Sequence, residues 1–454
     1  METAGIRKFA SEKKLFGLTV LIMLLMPVSE LITDIIARYN KNVTPSVFQP
    51  VILGLFGIVG TVMAVLVKTN ELTSPENGKK WYAADICYLA LVLFMVISAV
   101  FSVDPGLYSD GDVFVCETPV HFLAYYSLFF FGSRITSSEY RRKLLAVFLF
   151  VAALHGVIAF FQTFNIEIAY CLLIRHDRAA YGLTQNSNYY GGLSVFLLAC
   201  SSGCYLFNGK IFRSKIWGVV LPLFSGFLFY TMMGSRARLA WIGFAAMIFF
   251  YLVSGLVMLK GKIAREDLKR YFIRFAVLCA VFAAVFAATH ILTNFVSEEA
   301  ERTRMELDGE LRGGLGSDRL LLWKYGLESV PHHWATGIGL DNYTRVFFEN
   351  PAFVKGMYYQ AKAHNEYLHI LATQGVFALA AYLFILFRTL VNGVRKVFTG
   401  SDDLSVSLVW VLLGMFVTYA AQASLNSSVI NVAMYFWIVF GLLNPCGESR
   451  KCNN

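Results

Sequence analysis

The sequence predicts an all-α protein built into a membrane, with about twelve transmembrane helices. Three observations predict it. The chain of 454 residues is 57% hydrophobic and only 15% charged, whereas a soluble domain is about a quarter charged. Its apolar residues come in successive runs near the ~20 residues that a helix needs to cross the hydrocarbon core. Short segments bearing charge, Gly, Pro or Asn separate these runs.

By hydropathy the spans lie near 15–36, 46–67, 82–101, 119–133, 141–163, 188–208, 214–233, 238–259, 273–293, 365–391, 404–424 and 427–444. The first follows Arg7, Lys8, Lys13 and Lys14 and so resembles a signal peptide, but no small-residue cleavage site follows Leu15 to Met26. It reads as a retained first helix. Twelve spans put both termini on one side. That side collects 25 of the 39 Lys and Arg residues, against six in the short loops opposite. The positive-inside rule, which counts short loops, then makes both termini cytoplasmic. The chain divides into residues 1–293 with spans one to nine, a large extracytoplasmic loop with short helices over 294–364, and residues 365–454 with the last three spans and a cytoplasmic tail.

The formal charge of +9 is accounted for by this topology signal, and nucleic acid is not an expected partner. The eight cysteines are dispersed, with no CxxC pair, so neither a disulfide framework nor a zinc site is expected.

The long outward loop needs a reason, because loops of this length are functional or disordered. Its first half is rich in acids, among them Glu298, Glu299, Glu301, Glu306, Asp308 and Glu310, and has no assignable role. A Gly-rich break at Gly313, Gly314 and Gly316 follows, then an amphipathic helix near Asp318 to Ser329. Trp323, Trp334, Tyr343, Tyr358 and Tyr359 argue for order in the second half.

Three segments carry candidate chemistry. Gly234-Ser235-Arg236-Ala237-Arg238 opens the eighth helix on the outward side, with Ser235 as an N-cap. A helix N-terminus with a guanidinium is suited to a phosphate; the alternative is that both arginines snorkel to lipid headgroups, more so Arg238, on a different face. Ser317-Asp318-Arg319 repeats the arrangement, and Arg at a helix N-terminus makes sense with an anion as partner. The alternative is a local pair with Asp318. Ala363-His364-Asn365-Glu366 opens the tenth span. His364 in its first turn is expected to be neutral near pH 7 and able to accept a proton, unless it only hydrogen-bonds a loop carbonyl. Zinc is disfavoured, since His364 and His369 are five apart and do not share a face. Tyr358 and Tyr359 are either sugar-stacking or interfacial aromatics. Glu30 and Asp34, one turn apart at the outer end of the first helix, are expected at the headgroup level.

Read together, these segments resemble the O-antigen ligase and O-antigen polymerase superfamily of integral membrane glycosyltransferases. Phe101-Ser102-Val103-Asp104-Pro105 resembles its F-S-x-D-P, and Gly182-Leu183-Thr184-Gln185-Asn186-Ser187-Asn188-Tyr189 its G-x-x-x-N-x-N-aromatic entry to a middle helix. Gly234-Ser235-Arg236 is similar to its S-R motif, Arg319 with Trp323 to R-x-x-x-W, and Gly337-Ile338-Gly339-Leu340-Asp341-Asn342-Tyr343 to G-x-G-x-x-x-aromatic. His364-Asn365-Glu366-Tyr367-Leu368 with Gly375 resembles H-N-x-x-L…G. The resemblance implies a C-type glycosyltransferase fold and an inverting, metal-independent transfer from a glycan on a polyprenyl diphosphate, typically undecaprenyl, at the outer face of the plasma membrane. It implies Arg236 and Arg319 as diphosphate ligands and His364 as base, with Arg238, Asn365, Tyr358 and Tyr359 as accessory residues.

The acceptor stays open among a lipid core (ligase), another repeat unit (polymerase) and protein Ser or Thr; the complete S-R, R-x-x-x-W and H-N set favours ligase-type transfer. From a different class, a lipid-linked glycan flippase or transporter predicts polar residues near helix midpoints and paired broken helices. A scaffold would have no need of His364.

Overall fold

The computed structural model describes residues 11–39, 48–73, 80–104, 117–166, 179–260, 265–308, 319–351, 360–400 and 402–446. Among these there is no strand. The helices, in chain order, are α1 (Glu12–Tyr39), α2 (Phe48–Thr73), α3 (Ala83–Val100), α4 (Pro119–Arg134), α5 (Ser138–Thr163), α6 (Ser187–Leu206), α7 (Trp217–Gly234) and α8 (Arg238–Lys260). They continue with α9 (Arg265–Thr293), α10 (Phe295–Leu307), α11 (Arg319–His333), α12 (Arg345–Phe348), α13 (Glu366–Thr399), α14 (Asp403–Gln422) and α15 (Ile430–Leu442). Each of the twelve expected spans falls on one of α1–α9 and α13–α15. The ninth begins earlier than hydropathy suggested, because the charged turn from Arg265 is already helical.

Among the described residues, nine of these helices are long and apolar enough to cross a membrane. The three that fall short, α4, α6 and α15, are the ones most enclosed by other helices. A helix that touches protein on all sides need not be as apolar as one that touches lipid, so Ser194, Ser201 and Ser202 are accommodated inside α6. The outer helices do the reverse. They turn Leu55, Val65, Phe249 and Phe387 outward, which a bilayer accepts and water would not. Small residues let the inner helices approach: Gly57 and Gly60 of α2 lie against Val120 and Ser127 of α4, and Gly132 of α4 against Gly441 of α15.

The segment between α9 and α13 forms a second, smaller core that sits on the end of the bundle. Leu322 and Tyr325 of α11, Ile338, Tyr343 and Phe347 pack on Leu368 and Ala372 of α13. The docking depends on a break in α13. Gly375 has φ +86° and interrupts the helix, which frees backbone groups on either side. The loop takes them up: Ile338 N–H donates to Ala372 O at 2.9 Å and Gly339 N–H to Thr373 O at 3.0 Å, while Val376 N–H donates to Trp334 O at 2.8 Å. Ser98 of α3 donates its hydroxyl to Thr373 O at 2.8 Å. These bonds occupy the Ala372 and Thr373 carbonyls and the Val376 N–H, which a buried backbone requires.

The two glycines before this contact are also explained. Gly337 and Gly339 have φ +71° and +115°, and a Cβ on either would overlap Thr373 backbone or Ser102, respectively. Phe101 to Asp104 dock on the same turn. Val103 N–H donates to Ile338 O at 3.1 Å, Asn342 Nδ2 donates to Ser102 Oγ and to Asp104 O, and Arg345 pairs with Asp104.

Glu30 and Asp34 are not open to lipid headgroups, as their place at the end of the first helix led one to expect; both side chains are fully buried in protein. Gln185 Nε2 donates to Glu30 Oε1 at 2.7 Å and to Asp34 Oδ1 at 2.9 Å. They face inward because the loop before α6 closes over them, held by Gln162, which accepts from Tyr181 and Gly182 N–H and donates to Gly182 O.

Gly337→Ala should lower stability by about 2–4 kcal/mol, since it combines left-handed strain with backbone overlap. Gly17→Ala, where a Cβ meets nothing within 4 Å, should be close to neutral. Thermal unfolding of the two purified variants, followed by size-exclusion chromatography, checks the contrast.

Candidate functional site

His364 lies where the small core meets the bundle. It is not in the first turn of α13 but just ahead of it, because Asn365 is the N-cap: its Oδ1 accepts from Leu368 N–H at 3.1 Å. The Asn365 side chain is thereby used for capping. His364 itself has φ +49°, a left-handed conformation that a non-glycine residue holds only when its surroundings fix it. One such fixing contact is visible. Trp323 of α11 donates its indole N–H to Ala363 O at 3.0 Å.

Arg319 stands one turn before Trp323, on the same side of α11. The R-x-x-x-W spacing thus puts Trp323 on the backbone beside His364 and the Arg319 charge within reach of its imidazole. Burial first, and then the Arg319 guanidinium, lower the His364 pKa to about 4. The helix dipole inferred from sequence is not the main cause. The imidazole is neutral across the physiological range, and its Nδ1 is buried without a hydrogen-bond partner among the described residues.

Beneath this seam is a cluster that sequence reasoning missed. The Lys362 ammonium lies 2.8 Å from Glu117 Oε2 and 3.0 Å from Asp341 Oδ1. Exposure of the three side chains is only 1–3%. Asp341 Oδ2 also accepts from Glu117 N–H at 3.1 Å, and Glu117 Oε1 accepts from the hydroxyls of Tyr125 at 2.6 Å and Ser428 at 2.8 Å. Burial alone would lower the Lys362 pKa, but Asp341 and Glu117 outweigh it and hold the group charged, above the ordinary lysine value.

Glu366, the first residue of α13, accepts from Tyr382 at 2.7 Å and Tyr419 at 2.9 Å. Between Glu117 and Glu366 a cavity of about 30 Å³ is lined also by His369, Gln374 and Ser428, enough room for one water with several polar partners. The available sequence signal was weak: Lys362 and Glu366 flank His364, and Asp341 lies in the glycine motif, yet nothing local pairs them with Glu117.

Arg236 lies in the turn between α7 and α8 with φ +53°, and Ser235 Oγ accepts from Ala237 N–H at 3.3 Å. Its guanidinium pairs with Glu298 of α10 at 2.6 Å, with Glu299 at 3.9 Å. The acidic half of the loop therefore has a structural role, as counter-charge to Arg236. Arg238 is exposed and lies 3.4 Å from Thr303 Oγ1. Arg319 and His364 come together; Arg236 is engaged with α10 instead. Asp318, Tyr358 and Tyr359 lie outside the described residues.

Residues 223–383 match a family model described as O-antigen ligase. The matched segment takes in 161 of the 454 residues. Arg236, Arg319, Asp341, Lys362, His364 and Glu366 all fall within it. Glu117 and Asp104 lie outside the match and bond to Lys362 and Arg345 within it, so the matched segment is braced by side chains from the first half of the chain. No curated protein matches the sequence.

Lys362→Met should cost about 3–5 kcal/mol, because it leaves two buried carboxylates without their cation. Adding Glu117→Gln and Asp341→Asn to it should recover most of that loss. Unfolding midpoints of the single and triple variants in the same detergent test the pair of outcomes.

Proposed function

We propose that the protein is an O-antigen ligase-like glycosyltransferase. It moves a glycan from a polyprenyl diphosphate of the undecaprenyl type to an acceptor hydroxyl at the outer face of the plasma membrane, with inversion and without a metal. The observation that carries this reading is the seam inside the matched segment at which Arg319 and Trp323 meet Ala363 and His364.

The acceptor oxygen attacks the anomeric carbon as its bond to the diphosphate oxygen breaks. The hydroxyl proton passes to the neutral His364 imidazole, and the electron pair of the broken bond leaves on the polyprenyl diphosphate. Negative charge grows on that leaving group, and a fixed guanidinium in a partly dry site stabilises it. Arg319 does this beside the base, a role supported by its nearness to His364. Arg236 would join from the α7–α8 turn once the donor replaces Glu298, the anion it now holds.

The donor also improves the base. Arg319 is one of the two causes that depress the His364 pKa, and a bound diphosphate offsets that positive field. The acid limb of kcat/KM, which reports the free enzyme, should therefore lie near pH 4 with a plateau from about pH 5 to 8. In kcat, which reports the donor complex, the limb should move to higher pH. A pH–rate series in lipid nanodiscs checks both limbs; a limb in kcat at or below that in kcat/KM contradicts the reading.

His364→Ala should reduce transfer roughly 10²- to 10⁴-fold, and Arg319→Ala about 10²- to 10³-fold. Wild-type rates for both would sink the enzyme reading, and movement of intact donor across the bilayer without transfer would point to a flippase. Donor alone, donor with lipid core and donor with protein distinguish polymerase, ligase and protein glycosylation. Glu298→Gln should lower the KM for donor by no more than about five-fold, the worth of a surface ion pair.

A further inference from the structure

A second cavity, of about 580 Å³, lies at the other end of the bundle, where α6, α8 and α13 finish and α9 and α14 begin. Since α13 runs from Glu366 beside His364 to Thr399 at this cavity, the two sites are separated by about 50 Å of path along the helix at ~1.5 Å per residue. The volume lies within the ~300–1,000 Å³ usual for ligand sites.

The wall is of two kinds. Met258, Phe398 and Trp410 make an apolar side, and Lys210, Arg270 and Arg274 a cationic one, with only Asp267 and Asp403 as acids. Lys210 is already tied to both of those acids. Arg270 and Arg274 are one turn apart on α9, so their like charges face the same side and repel. Arg274 cannot move away, because its Nη1 donates to Leu206 O at 3.0 Å and Asn208 O at 2.5 Å. Asp267 comes no nearer to Arg270 than 3.9 Å. An anion between the two guanidinium groups would remove the repulsion and complete their hydrogen bonding.

The apolar half selects the kind of anion. Leu256, Leu259 and Phe398 are exposed around this end of α8 and α13, so lipid chains reach the mouth directly. Basic pockets between transmembrane helices are suited to anionic headgroups.

We propose that this cavity binds the phosphate of an anionic phospholipid, with Arg270 and Arg274 on the phosphate and the acyl chains along Met258, Phe398 and Trp410. The site is separate from glycan transfer and does not depend on that reading.

Trp410 supplies a local reporter. In nanodiscs containing the full chain, the Trp410 signal is the difference between wild type and Trp410→Phe. Brominated phosphatidylglycerol should quench it at about five-fold lower mole fraction than brominated phosphatidylcholine, a preference of the size expected from one lipid-facing arginine. Arg270→Ala with Arg274→Ala should abolish the preference and leave glycan transfer unchanged. Arg270→Gln, which disturbs no helix-capping contact, should weaken it if the double variant does not fold. Millimolar inorganic phosphate should not displace the lipid. Equal quenching by both lipids, or a preference that survives Arg270→Gln, overturns the proposal; full competition by inorganic phosphate overturns it in favour of a free-anion site.

Discussion

The Lys362 ammonium, enclosed between Glu117 and Asp341, is the interaction on which the arrangement around His364 depends. It joins three segments far apart in sequence: the entry to α4, the turn after the glycine pair, and the residues leading into α13. A buried charge of this kind is expensive unless its partners are fully present. Glu117 and Asp341 meet that condition, and Tyr125 and Ser428 occupy the remaining carboxylate oxygen. Because the three groups are interdependent, the backbone two residues before His364 has one position. The left-handed conformation of His364 is then held from two sides, by this anchor and by the indole of Trp323.

The electrostatics of the two arginines differ accordingly. Arg319 acts on His364, and its charge is felt as a depressed imidazole pKa. Arg236 is balanced by α10, with Glu298 in contact and Glu299 behind it. A cation at a loop that reaches the bundle end needs an anion in the absence of ligand, and the protein supplies one from the loop itself. That accounts for the acidic composition of a segment which, read alone, had no assignable chemistry.

Much of the fold was legible because lipid imposes a strict rule on sequence: a helix facing it must be apolar for some twenty residues. Hence the twelve bundle helices among the described residues could be located. The buried ones strained that rule, as α4 and α15 show by their short length and α6 by its serines. At the site, the grouping of Arg319 and Trp323 with His364 was legible through the resemblance of their motifs to those of a known family. Lys362 and Glu117 were not, since a salt bridge across 245 positions leaves no periodicity to read. The environment of Glu30 and Asp34 was misread for a related reason. Hydropathy reports depth in the membrane, but whether a residue at that depth faces lipid or protein is decided by the neighbouring helices, here by Gln185.

The fracture in α13 at Gly375 has a mechanical consequence. A continuous helix is a stiff rod, and sway of its lipid-embedded part would be delivered to whatever sits at its tip. Here the hydrogen-bond ladder is cut nine residues in, and the Ala372 and Thr373 carbonyls are bound by the turn at Ile338 and Gly339 and by Ser98. The opening segment of α13, with His364 at its head, belongs as a body to the small core at the end of the bundle. His364 is carried by the loop rather than by the rod, and is insulated from bending of the long helix beyond Gly375.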